Sequence, residues 1–298
     1  MDPLADIVAL LAPSARGSKL VEAAGQWRVE RPRMDEPFYC AVLEGQCQLQ
    51  VNDLSPILLQ AGDFVLVPAM RKMAQSHVGA DADMPLTQPV TLAEGHYRLG
   101  RADGPPDLRL RVGHCQFNTR DAALLVPLLP QVVLVREQPR LAALVQWVGE
   151  ESRAQRPGRD LVLEHLLQIL LIEALRSGSA PDAPGLVRGL GDARIGDALR
   201  ALHADAGMAW TVDKLAEQAA LSRSAFFIRF ERVVGMKPMA YVLTWRMALA
   251  KRWLSERTLS LDAIAERLGY SSASTFSVAF LRHEGMPPGS YRKGIIGT

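Results

Sequence analysis

Between residues 38 and 69 apolar and polar positions alternate in short runs, "FYCAVLEG", "QCQLQVND", "PILLQAGD" and "FVLVPA". Glu44-Gly45, Asn52-Asp53 and Gly62-Asp63 punctuate them, all hairpin-type signals. A further run of the same kind is "RLRVGHCQF" (109–117). Such spacing predicts a small antiparallel sandwich or barrel. The period then changes to that of a helix in "PRLAALVQWVGEESRAQ" (139–155) and "GRDLVLEHLLQILLIEALRSG" (158–178). The second is apolar on almost every side, so it must be covered on more than one face. One face can pack on the sheet, and the other is expected to meet its copy in a second subunit through Leu163, Leu167, Leu170 and Leu171. The alternative is a central helix inside a monomer. Glycine, proline and serine then dominate "SGSAPDAPGLVRGLGD" (177–192), which reads as a linker. Beyond it the pattern is helical to the end.

Within that last stretch one short unit is spelled twice. "LAEQAALSRSAFFIRFERVVGMKPMAYV" (215–242) lies over "IAERLGYSSASTFSVAFLRHEGMPPGSYR" (264–292) with one inserted residue. Ala216 meets Ala265, Phe226 meets Phe276, Phe230 meets Phe280, Gly235 meets Gly285 and Tyr241 meets Tyr291. Each copy reads as a helix with a small alanine, a tight turn and a second, capped helix. Ser222, and Ser271 or Ser272, can accept the orphan N–H groups of the second helix. The phenylalanines four apart form its buried stripe, and the glycines supply the left-handed residue that stops it. This is the grammar of a helix-turn-helix, whose second helix enters the DNA major groove. Two in tandem, joined by the long helix "MAYVLTWRMALAKRWLSE" (239–256), form a strong signal. What remains faces out: Ser224, Phe227, Ile228 and Glu231 in the first copy, and Ala273, Ser274, Ser277, Val278 and Leu281 in the second; with the caps Ser222 and Ser272 and with Arg223, all but Glu231 and Leu281 are candidates for DNA contact.

The formal net charge of +2 hides an asymmetry. Residues 190–298 carry 15 Lys+Arg against 10 Asp+Glu, whereas residues 1–189 carry 19 against 22. A basic last third suits a polyanion partner. Three cysteines, an odd number, fit a reducing cytosol better than a disulfide framework. No apolar run reaches a membrane span, and the first residues, "MDPLADIVALLAPSARG", lack the basic start of a secretory signal. A cytoplasmic protein is expected, with no membrane partner.

With these residues in hand, residues 191–293 resemble the DNA-binding domain of the AraC/XylS family of bacterial transcription regulators. The marks are "SRSAFFIRF", "RMALAKRWL", "IAERLGYSS", "FSVAFLRHEG" and the closing Pro288-x-x-Tyr291-Arg292. Upstream, "LEGQCQLQV", "LLQAGDFVLVP" and "VGHCQFN" resemble the cupin-type sensor half of one branch of that family. The resemblance implies an α+β protein of two domains. Residues 1–138 would form a cupin-like antiparallel β barrel, 139–178 a helical dimerisation segment, 179–191 a linker, and 192–298 an all-α tandem helix-turn-helix domain. It also implies a homodimer on double-stranded DNA, RNA polymerase as a further partner, and a small effector in the barrel. Cys40, Val42, Leu49 and Phe64 are the candidates for lining that effector site. One departure stands out: where the family commonly places arginine in its reading helices, this chain has Ile228 and Val278. Phosphate contacts then fall to Arg223, Arg232, Arg246, Lys251, Arg282 and the helix N-termini.

The sheet half offers little chemistry. A metal-holding cupin opens on clustered histidines with a carboxylate, whereas "FYCAVLEG" has none and His77, His96 and His114 are scattered. Neither a nucleophile–base pair nor a phosphate loop is legible, so no enzyme, metal or cofactor is expected. The alternative is a cupin metalloenzyme or thiol redox sensor fused to a DNA-binding tail. If Glu44-Gly45 is a two-residue turn, Cys40 lies diagonal to Cys47, about 7–8 Å away, and a disulfide between them would need movement.

Overall fold

The computed structural model describes residues 2–31, 36–69, 72–81, 83–117, 125–154, 156–178 and 185–294. The chain divides into two compact units. One comprises residues 12–118 with 130–183, and the other residues 1–11 and 119–129 with 184–298.

Among the described residues the first unit holds eleven strands: β1 (Pro13–Ala24), β2 (Arg28–Arg31), β3 (Phe38–Glu44), β4 (Gln46–Val51), β5 (Ile57–Gln60), β6 (Phe64–Val67), β7 (Met73–Ser76), β8 (Val90–Ala93), β9 (His96–Gly100), β10 (Leu108–Phe117) and β11 (Val133–Val135). Seven of them form one sheet in the order β11-β6-β3-β10-β1-β9-β8, and the other four a second sheet, β2-β7-β4-β5. The alternation read from the sequence is real: Cys40, Val42, Leu49, Val51, Val65 and Val67 all point into one apolar core between the sheets. Two of the three expected hairpins do not form: β5 and β6, on either side of Gly62-Asp63, lie in different sheets, and so do the strands that flank Glu44-Gly45. β3 and β4 are not partners, because Gly45 sends the chain from one sheet to the other. Its φ of +79° is left-handed, and a Cβ there would lie 2.0 Å from the Asp107 carbonyl oxygen. In addition, β1 pairs with β9 in parallel, from Leu20–His96 to Ala24–Gly100.

Two helices, α2 (Pro139–Arg153) and α3 (Arg159–Ser177), complete this unit. (α1, Pro3–Leu11, belongs to the other.) Here the expected dimer seam is corrected. Leu163, Leu167, Leu170 and Leu171 are all buried within the single chain, along the face of α3 that packs on α2 and the seven-stranded sheet. Sequence periodicity could not separate the two faces of so apolar a helix. Those left outside are Leu161, Val162 and Ile169, and Trp147 is exposed on α2.

The second unit is helical: α1, then α4 (Leu186–Gly191), α5 (Ile195–Ala204), α6 (Val212–Gln218), α7 (Arg223–Val234), α8 (Pro238–Glu256), α9 (Leu261–Arg267), α10 (Ala273–Glu284) and α11 (Pro288–Gly294). Residues 179–184 of the expected linker lie outside the described residues, and its remainder is the helix α4. By contacts, the first helix groups with the helical unit, although it lies within residues 1–138. Leu4, Ile7, Val8 and Leu11 of α1 are buried, and α1 packs against α4 and α5. Four residues anchor that junction. His203 of α5 stacks on Trp245 with centroids 4.0 Å apart and bonds the Tyr241 hydroxyl at 2.8 Å; its Nδ1 lies 3.9 Å from an Asp6 oxygen.

Candidate nucleic-acid interface

The repeated unit folds twice in the same way. Thr211 and Ser260 cap α6 and α9, each accepting a backbone N–H three residues on. Buried Ala216 and Ala265 let those helices approach their neighbours closely. Ser222 then caps α7 through the Ala225 N–H at 3.4 Å, and Ser272 caps α10 through the Thr275 N–H at 3.1 Å. Of the two serines open as caps for the second copy, Ser272 is therefore the one.

The buried stripes match as well. Phe226 and Phe230 lie 5.4 Å apart, and Phe230 meets Tyr241 edge-on at 5.8 Å and 74°. Phe276 and Phe280 lie 5.6 Å apart, and Phe280 meets Tyr291 at 5.6 Å and 74°. Gly235 and Gly285, at φ +81° and +75°, end the two helices in the left-handed region. Since α8 carries Tyr241 of the first unit and packs Met247, Ala250 and Leu254 into the core of the second, one helix joins both.

With the stripes fixed, the opposite faces are fixed too. On α7, Ser222, Arg223, Ser224 and Arg232 are exposed and Ile228 is 66% exposed. Phe227 is half-buried, so its ring is only partly available. On α10, Ser272, Ser274 and Arg282 are exposed and Val278 is 55% exposed. Ala273 and Ser277 are half-buried, and the Ser277 hydroxyl donates to the Ala273 carbonyl at 2.7 Å. Arg232 and Arg282 occupy equivalent positions, and neither has an ion-pair or hydrogen-bond partner among the described residues.

Other expected phosphate contacts are otherwise engaged. Arg223 reaches Asp213 at 2.6 Å, with both side chains well exposed, so water weakens that pair. Arg246 donates to the carbonyls of Ala206 and Met208 at 2.9 and 2.8 Å, and burial lowers its pKa. It holds a loop. Lys251 is buried and lies 2.5 Å from a Glu284 oxygen, fastening α8 to the end of α10. Sequence reasoning missed Arg229, which sits on α7 but turns back to bond Asp192. Its place beside the buried stripe, one residue before Phe230, was the available signal.

In the sheet unit, Cys40, Val42 and Leu49 lie in the packed core, and Phe64 points to the other face of its strand, stacked on Tyr39 at 6.5 Å. None of the four lines the cavity of about 410 Å³ beside that core. Its walls include Lys19 and Val21 of β1, Val29 and Arg31 of β2, and Phe38 and Val112 deeper in. The thiols meet across the sheets rather than along a hairpin: Gln75 Nε2 lies 3.8 Å from the Cys40 sulfur and 3.5 Å from that of Cys47. Burial pushes the Cys47 thiol up to about 11 and Cys115 to about 12, and raises Cys40 further. Among the described residues no group of three His, Cys, Asp or Glu side chains is placed to hold a metal ion, and no helix is long and apolar enough to cross a membrane.

Comparison with known proteins places this architecture. Residues 2–180 match the family model described as Cupin, and residues 215–294 the one described as Helix-turn-helix domain. An AraC-like transcription regulator of Streptomyces lividans is 38% identical over 98% of both chains. The chain belongs to the AraC family of transcription regulators. A second AraC-like regulator, from Streptomyces antibioticus, is 37% identical over 98% of this chain and 99% of its own. Among solved structures, the DNA-binding domain of AdpA in complex with a target DNA is 30% identical, covering 35% of this chain and 92% of that one at a TM-score of 0.32. The helix-turn-helix match falls on α6 to α11, the DNA-binding region of this chain, and the sheet unit falls within its cupin match.

Proposed function

We propose that this regulator reads two successive major-groove faces with α7 and α10, and that a small molecule held in the cupin cavity modulates the reading. The observation that carries the first half is the duplicated outward face: serine, an exposed aliphatic residue and an unpartnered arginine recur at equivalent positions of α7 and α10. Ser222, Ser224, Ser272, Ser274, Ile228 and Val278 face the base edges. Arg223, Arg232 and Arg282 take phosphates, while Arg246 and Lys251 brace the scaffold. Two helices coupled by α8 engage grooves about one turn, roughly 10 bp, apart.

In this reading the protein works in the cytoplasm without enzymatic activity, as a homodimer acting on RNA polymerase at promoters. The seam moves to the outward face of α3, where Leu161, Val162 and Ile169 are exposed. A DNase footprint upstream of the protein's own gene tests the DNA half. One subunit should protect about 20 bp, and inserting 5 bp between its two groove contacts should abolish binding. Unchanged affinity on the insertion would overturn the tandem reading.

A further inference from the structure

The cavity of the cupin domain has a charge pattern that its shape alone does not require. Lys19 stands on β1, in the seven-stranded sheet, and Arg31 on β2, in the four-stranded one, and both line the same space. Strand alternation puts them on the inner faces. Lys19 is two residues from Val21 and opposite Val112, and Arg31 is two residues from Val29 and opposite Met73. Two cations thus face the cavity from opposing sheets. Among the described residues neither has a carboxylate partner; the lining carboxylate, Glu30, is taken by Arg28. Lys19 instead lies over the Tyr97 ring, with its nitrogen 5.3 Å from the centroid.

The surroundings disfavour the charged form of both side chains. Burial, and then the charge of Arg31, lower the Lys19 pKa, and burial lowers that of Arg31. Two residues beyond Val112 on the same face of β10 is His114, whose ring lies 5.4 Å from Phe38 at the cavity wall. Burial, then Arg31 and Lys19, hold His114 down to about 4, so it is neutral, and among the described residues neither of its buried ring nitrogens has a hydrogen-bond partner. Buried polar groups are ordinarily satisfied, and like charges are not ordinarily paired across a cavity. An anion between Lys19 and Arg31 offsets the repulsion of the two like charges. Below the cations the wall turns apolar through Val21, Val29, Leu99 and Val112.

We propose that the cupin cavity takes an anionic amphiphile, a carboxylate-class head between Lys19 and Arg31 with an apolar body lying against Val21, Val29, Leu99 and Val112. This rests on the reading of that cavity as the effector site and names the chemistry it selects. The head accepts charge-assisted hydrogen bonds from the ammonium and guanidinium, which are the stronger kind. The size falls within the ordinary range of small-molecule sites.

Calorimetry on the full-length protein tests it with decanoate, decanol, decyltrimethylammonium and sulfate. Decanoate should bind once per chain and roughly tenfold or more tighter than decanol, the margin expected when charged hydrogen bonds are added. Decyltrimethylammonium should be excluded. The Lys19→Gln/Arg31→Gln double variant should lose the preference for decanoate while binding decanol within about twofold of the parent. Without ligand it should melt no lower than the parent, because a repulsion has been removed. If the double variant does not fold, Lys19→Gln alone should lose part of the preference.

Equal affinity for decanoate and decanol, a preference that survives both substitutions, or no saturable binding below about 1 mM overturns the proposal. Sulfate binding as tightly as decanoate overturns its apolar half. The effector reading fails separately: it falls if a ligand saturating the cavity leaves DNA affinity unchanged, and it stands if decanol shifts that affinity.

Discussion

Arg229 and Asp192 form a two-armed contact, with Nε 3.0 Å and Nη2 2.9 Å from the same carboxylate oxygen and Nε 3.2 Å from the other. The arginine belongs to the first reading helix, and the aspartate starts the turn into α5. Asp192 also accepts the backbone N–H groups of Arg194 and Ile195. Burial works to raise the Asp192 carboxyl; the bonds from Arg229 and the two backbone groups outweigh it and leave the carboxyl below its ordinary range. This contact fixes how α7 stands on the rest of the DNA-binding domain.

Arg229→Ala should therefore cost about 1–2 kcal/mol of stability, less than for a fully buried pair because Arg229 is partly exposed. DNA affinity should fall although this side chain touches no DNA. The sign with pH follows from a depressed carboxyl. The stabilisation is complete above the unfolded-state value of about 3.9 and is lost as pH falls through the lower folded value. Urea titrations at neutral pH and near pH 3 should show the variant and parent converging in acid.

The apolar helix α3 gives a paired prediction. Leu167 is fully buried in the cupin domain, whereas Ile169 is exposed. Leu167→Glu places a charge in the core and should cost several kcal/mol, enough to unfold the domain. Ile169→Glu should leave the fold intact and yield a monomer in sedimentation. A dimer that survives Ile169→Glu places the seam elsewhere.

These contrasts show what the sequence could and could not disclose. Phe226/Phe230 and Phe276/Phe280 were legible because a helical stripe, a serine cap and a glycine stop are all local signals. Ile228 and Val278 followed as the positions left over. Pairing between strands is not local: Glu44-Gly45 looks like a hairpin turn whether the next strand folds back or crosses to a second sheet. Only the close approach of Gly45 to Asp107, far along the chain, decides it. The effector candidates failed for the same reason. Cys40, Val42 and Leu49 do face inward, but the opposing sheet fills the space beside them, and the cavity lies against Lys19 and Val21 in the middle of β1 and against β2. Lys19 and Arg31 are charged residues in strands and carried no periodic signal toward it. The docking of α1 on the helical unit is likewise a contact between distant parts of the chain.

The thiols should be inert in the folded state. Thiolate is the reactive form, and burial raises Cys47 to about 11 and Cys115 to about 12, with Cys40 also well above its ordinary value. Iodoacetamide at pH 8 should label none of the three until denaturant is added. Rapid labelling of Cys40 or Cys47 in native protein would revive a redox role.

His114 adds a pH dependence of its own. Its folded value near 4 lies below the ordinary 6.5, so below about pH 6.5 the unfolded chain binds a proton that the folded domain refuses. Stability should be undiminished by this group above pH 6.5 and should decline between about 6.5 and 4. His114→Gln should flatten that decline in melting experiments across the same range. A parallel fall in parent and variant would assign the loss to other groups, His203 among them, whose pKa burial also lowers.

The last expectation concerns the two aliphatic residues on the reading faces. Ile228 and Val278 stand at equivalent positions, 66% and 55% exposed, and neither can donate or accept a hydrogen bond. Phe227 is half-buried and so is the weaker candidate. The apolar feature of a major-groove edge is the thymine C5-methyl group. Covering one contributes about 0.8 kcal/mol, by analogy with a buried methylene, which is a threefold to fourfold change in affinity. Replacing thymine by deoxyuridine removes that methyl alone and leaves pairing and phosphates intact. Single exchanges across the footprint should reveal one or two sensitive positions in each half of the site. Ile228→Ala should abolish the sensitivity in the half read by α7 and leave the other unchanged, and Val278→Ala should do the reverse. If no thymine responds, the aliphatic contacts are not made, and discrimination must come from the serines, Arg223 and the shape of the DNA.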